Sequence, residues 1–124
     1  MAKSVLFALI IVSGQTAFGA SWDGNEILRY CGRALEDPMT LSSAQSMKTF
    51  MCMGYVTGTV DSIDTFYGTS SSSKPKPFCL PEGGVERVHV VRALLKWLKS
   101  NPDKLSWVAP DIIKQALADA FPCK

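Results

Sequence analysis

Four cysteines, Cys31, Cys52, Cys79 and Cys123, constrain this chain most, because no two are closer than about 20 residues and only one histidine, His89, accompanies them. That spacing is wrong for a zinc site, which brings its ligands in close pairs. An even number of cysteines in a small exported domain instead reads as two disulfides. Export is written at the N-terminus. Lys3 precedes an unbroken apolar run, Val5–Val12, and small residues follow through Ala20. This is the layout of a secretory signal peptide, and the run is far below the roughly 20 residues that span a bilayer. Ala17 and Gly19 favour cleavage after residue 19, with cleavage after Ala20 the close alternative. The expected division is a signal peptide over 1–19 and a single domain over 20–124. No stable membrane insertion is expected.

Removing the leader takes away only Lys3, leaving twelve Lys and Arg against eleven Asp and Glu. A net charge near +1 gives no basic stripe, so nucleic acid is not an expected partner. A working chain of about 104 residues makes one small core, near the size at which cross-links matter.

Four amphipathic segments can be read, with no convincing strand, and the expected fold is all-α: a compact four-helix domain with two disulfides. In the first, Trp22 to about Leu35, Ile27, Leu28, Cys31, Ala34 and Leu35 share a face, and Asp37-Pro38 stops it. The second starts at an N-cap at Ser42 or Ser43 and runs to about Phe66. Met47, Met51, Tyr55, Ser62 and Phe66 recur on what reads as its core face, with Met53 and Val60 off it. Gly54 and Gly58 predict close approach of another helix within the core, since each costs roughly 1 kcal/mol relative to Ala in a helix. Residues 68–77 form a Ser-rich, Pro-containing solvated connector. The third segment, Gly84 to Ser100, carries Val85, Val88, Val91, Leu94, Leu95 and Leu98 inward. Asn101-Pro102-Asp103 ends it. The fourth begins near Pro110, includes Ile112, Ile113, Ala116, Leu117 and Ala120, and ends at Phe121-Pro122-Cys123.

Four cysteines allow three pairings, and spacing alone does not choose among them. Geometry prefers one. If the last two helices form a hairpin, Cys79 just before it and Cys123 just after it come together, and Cys31 and Cys52 sit on the arms of the first hairpin. The preferred pairing is Cys31–Cys52 and Cys79–Cys123.

Within nearly the whole mature chain the motifs resemble the Rap1a/Tai family, immunity proteins linked to type VI secretion. They are Cys31 after an apolar helical face, then Cys52-Met-Gly54-Tyr55-Val-Thr-Gly58-Thr-Val-Asp61. Phe78-Cys79-Leu80-Pro81 comes before a Val-rich helix, and Leu98 before Asn101-Pro102. Ala116-Leu117-Ala118-Asp119-Ala120-Phe121-Pro122-Cys123 closes the chain. The resemblance implies an all-helical, often dimeric periplasmic protein that binds and blocks a secreted peptidoglycan amidase, an enzyme that cuts peptide crosslinks with a Cys/His centre. His89 departs from the Gln more common in that family, and if the position touches a partner, this protein's partner differs.

No enzyme is supported by the residues. His89 lies between Val88 and Val90 as a helix-surface or packing residue, the cysteines are expected to be oxidised, and Asp61 with Asp64 reads as a solvated helix face. No metal or cofactor is expected. Binding fits better, with Trp107 as anchor in the 100–110 loop, since Trp is enriched among interface hot spots. Packing of Trp107 over the hairpin end is the competing reading. Asp103, Lys104 and Ser106 are candidate polar rim contacts. The partner expected is the amidase effector, together with a homodimeric second copy, because one small core leaves apolar surface uncovered; the Met47–Phe66 helix, with Met53 and Val60 off its core face, is the expected contributor. Two other classes compete: an acid-stress periplasmic chaperone and a small envelope binding or assembly protein.

Overall fold

In the computed structural model, which describes residues 21–69 and 73–124, the chain is four α-helices joined by loops and two short 3-10 turns. The proposed signal peptide lies outside the described residues. Helix α1 (Gly24–Cys31) opens on a capping box: Asp23 accepts the Glu26 backbone N–H at 3.0 Å, and the Glu26 carboxylate accepts the Asp23 N–H at 3.2 Å. It is shorter than the sequence suggests. Beyond Cys31 the chain turns, and the Arg33 guanidinium clasps Glu36 with contacts of 2.6–3.0 Å. Leu35 is therefore left 39 % exposed rather than carried into the core, and Leu28, within α1, is 40 % exposed as well.

Helix α2 (Ser43–Gly68) is also set by a capping box, between Ser42 and Gln45. Its rotation about its own axis differs from the sequence reading. The Cys31–Cys52 disulfide, with Cα atoms 5.1 Å apart, draws Cys52 inward. Cys52, Val56 and Val60, four residues apart, become the core face, and Met53 packs against the same core. Met47, Met51 and Phe66 then turn outward, 62 %, 45 % and 61 % exposed, as does Ser62. Only Tyr55 of that set packs against the core. Gly54 and Gly58 follow the outward face. A Cβ on either would meet nothing within 4 Å, so no helix of this chain approaches them. The periodicity misleads because α2 carries apolar residues on both sides, and the disulfide decides which side is buried.

Helices α3 (Arg87–Ser100) and α4 (Ala109–Ala120) form the second hairpin. Helix α3 starts later than residue 84 because Gly83 and Gly84 both hold φ +88°, a left-handed conformation that a right-handed helix cannot include. Its buried residues are Val90, Val91, Leu94 and Leu98; Val88 is half-buried, so Val90 takes the place expected for it. Ile112, Ile113, Ala116 and Leu117 fill the core from α4, while Ala120 is exposed. Phe78, only 1 % exposed, packs next to Cys79, whose disulfide to Cys123 joins Cα atoms 4.9 Å apart. Both pairings are those preferred from the hairpin geometry. The Ser/Pro connector is tied back to α2 where Lys76 Nζ meets Asp64 Oδ1 at 3.0 Å.

Candidate functional site

The loop between α3 and α4 is built from residues that stop one helix and start another. Asn101 ends α3: its backbone N–H donates to Leu98 and its side-chain amide donates to the Trp97 carbonyl at 2.8 Å. Pro102 then sets a 3-10 turn over Pro102–Lys104, where the ring supplies the required φ and no N–H is wasted. The Trp107 N–H donates to the Lys104 carbonyl at 3.0 Å, closing a second tight turn. Pro110 occupies the first turn of α4, whose opening N–H groups have no helical acceptor.

This geometry holds Trp107 half out of the molecule, 38 % exposed, with Val108 beside it at 48 %. One side of the Trp107 ring leans on Trp97, centroids 6.4 Å apart and planes at 43°. Lys104 Nζ lies 4.6 Å from the ring centroid, a cation–π contact, and 3.3 Å from Asp103 Oδ2. Trp107 thus packs on the hairpin end and still presents an open face. Asp103, Lys104 and Trp107 are linked contact to contact, and Ser106 is exposed next to them. A cleft of about 400 Å³ adjoins the ring, lined by Pro77, Trp107, Val108, Asp111, Lys114 and Gln115. An Asp111–Lys114 ion pair at 2.6 Å forms part of its rim.

Two supports of the loop were not singled out in the sequence. Gly24 lets the start of α1 sit directly on it: a Cβ there would stand 2.8 Å from both Cα and the carbonyl oxygen of Leu105. The adjacent Asn25 amide donates to the Leu105 carbonyl at 3.3 Å. The second support is Trp22, stacked between Tyr30 and Tyr55 with centroids at 4.5 and 4.2 Å. Its carbonyl accepts the Ala109 N–H, and Asp23 bridges to Val108, so the far end of the loop is pinned to the segment before α1. Burial in this stack pushes the Tyr55 hydroxyl pKa up. A run of Trp22, Tyr30 and Tyr55 carries no local signal that the three rings meet, because Tyr55 reaches them from another helix.

The other sequence candidates are dispersed. His89 is exposed on α3, far along the chain from Asp61 and Asp64, and Asp64 is engaged by Lys76. All four cysteines are bonded. Among the described residues no group of three or more His, Cys, Asp or Glu is placed to hold a metal ion, and no helix is long and apolar enough to cross a membrane.

The model of the family described as Rap1a immunity proteins matches residues 23–123. The chain belongs to the Rap1a immunity protein family. No curated protein and no solved structure matches it. The match runs from the N-cap of α1 to the last cysteine and so takes in all four helices, both disulfides and the Trp107 loop. Membership in the Rap1a family implies that the chain binds a secreted effector.

Proposed function

We propose that this Rap1a-family protein is exported to the periplasm, loses its signal peptide after residue 19 or 20, and neutralises a type VI secreted peptidoglycan amidase. The observation that carries this reading is the α3–α4 loop. Trp107 and Val108 form an exposed apolar tip on a backbone braced by Trp97, Leu105 and the Trp22 segment. A tip already held in shape loses little conformational entropy on binding, so more of its contact energy appears as affinity. In this reading Trp107 enters the amidase's substrate cleft, and Asp103, Lys104 and Ser106 meet its polar rim. The protein in this reading acts by blocking its partner and not as an enzyme.

The working unit in this proposal is a homodimer. Met47, Phe50 and Met51 expose large apolar side chains beside the open glycines Gly54 and Gly58 on one face of α2. A second apolar stripe on a helix already packed on one side is a surface that a partner can cover. An antiparallel two-fold near Gly54 would set the bulky half of one helix over the glycine half of its mate.

Co-expression with a candidate amidase in the periplasm tests the function. Protection from lysis is expected, together with a complex that co-purifies. Lysis despite abundant folded protein overturns the immunity reading, whereas protection that survives Trp107→Ala overturns only the role given to this loop.

A further inference from the structure

A second groove, of about 490 Å³, is lined by residues of α3 and α4 together with Phe121. Its volume lies in the range of ligand sites. It exists because its floor is made of alanines: Ala93 from α3, with Ala116 and Ala120 from α4. Trp97 and Phe121 supply the aromatic surface. Phe121 is held firmly, its N–H donating to the Leu117 carbonyl at 2.7 Å and its own carbonyl accepting from Cys79 at 2.8 Å.

The walls are charged unevenly. His89, Arg92 and Lys96 follow one another along α3, and Asp119 faces them from α4. Among the described residues the Arg92, Lys96 and Asp119 side chains have no ion-pair or hydrogen-bond partner. Arg92 and Lys96 stand four apart, so two like charges crowd one helix face. A carboxylate between them relieves that repulsion and gains charge-assisted hydrogen bonds. Asp119 on the opposite wall offers an acceptor for an N–H group.

We propose that this groove binds a short acidic peptide segment of a protein partner, with a carboxylate on Arg92 and Lys96, an apolar side chain on the alanine floor, and a backbone amide on Asp119. An acyl chain with a carboxylate would match the cations, but it has no donor for Asp119 and would lie in an open groove instead of an enclosed tunnel. The proposal stands on the groove alone and does not depend on the immunity reading.

The test uses the mature protein labelled with ¹⁵N and two blocked tetrapeptides, Glu-Phe-Leu-Glu and its uncharged counterpart Gln-Phe-Leu-Gln, with laurate as a third probe. The acidic peptide is expected to shift amide signals over residues 89–100 and 116–121 and to bind roughly tenfold or more tightly than the Gln peptide. The Arg92→Glu, Lys96→Glu double variant should lose that preference. Ala120→Leu, which fills the floor without touching a charge, should weaken both peptides. All three side chains are exposed, so unchanged circular dichroism is expected to accompany these losses. Equal binding of the two peptides, shifts centred elsewhere, no binding at millimolar peptide, or tighter binding of laurate would each overturn the assignment.

Discussion

At Trp107, one ring does two jobs that usually compete. Its inner edge leans on Trp97 and its Lys104-covered face stiffens the loop, yet 38 % of the residue remains open to a partner. Trp107→Ala is therefore expected to cost about 2 kcal/mol or more in effector affinity, measured by titration calorimetry, while circular dichroism stays unchanged. Gly24 behaves in the opposite manner, being invisible to a partner but required by the fold. The atoms a new Cβ would meet at 2.8 Å are Leu105 backbone atoms, with Ile112 Cδ1 at 3.1 Å behind them. Backbone cannot swing aside as a side-chain tip can. Gly24→Ala should lower unfolding free energy by about 1–3 kcal/mol, read from urea denaturation, and should weaken effector binding by moving the loop.

Among the elements, α1 opens on a cap whose strength depends on acid pH. Backbone hydrogen bonding from Glu26 is the main cause holding the Asp23 carboxyl pKa below its ordinary value of 3.8. The charged form is thus favoured in the folded state. Its contribution is present above the unfolded pKa, near 3.8, and is lost as pH falls through the lower folded value. Thermal midpoints should drop below about pH 4. Asp23→Asn, which keeps a capping oxygen but cannot titrate, should flatten that part of the decline; an unaltered acid profile in the variant would show that the cap does not drive it. Helices α3 and α4 were legible in the sequence because polar residues flank one apolar stripe, and the hairpin they form brings Cys79 to Cys123. Helix α2 was legible in extent but not in rotation. Met47, Met51 and Phe66 make as good a stripe as Cys52, Val56 and Val60, and only the bond from Cys31 selects the second. The Trp107 loop could be found from its Pro residues and its lone aromatic. Its supports at Gly24 and Trp22 depend on contacts between residues roughly eighty positions apart, which no local pattern records.

For the whole molecule, the outward face of α2 is the feature that one copy leaves unfinished. Phe50, 73 % exposed, and Met47, 62 % exposed, stand on a helix whose inner side already meets the core. Gly54 and Gly58 each lower helix stability by up to about 1 kcal/mol relative to Ala, with nothing above them in the monomer to offset it. In the proposed dimer a mate packed across these glycines would supply the offset, because the missing side chains let the second backbone come close. Closed two-fold symmetry would also limit the proposed association to a pair and keep so apolar a face from propagating into larger aggregates. The mature protein is accordingly expected to sediment as a dimer at micromolar concentration. Phe50→Glu should convert it to a folded monomer with the same helix content. Gly58→Ala separates the two effects: it should raise the stability of the monomeric Phe50→Glu background by up to about 1 kcal/mol, yet weaken dimerisation of the otherwise unaltered chain. A wild-type protein that stays monomeric at these concentrations would leave the glycines without a partner and remove the dimer from the proposal, with the Trp107 loop untouched.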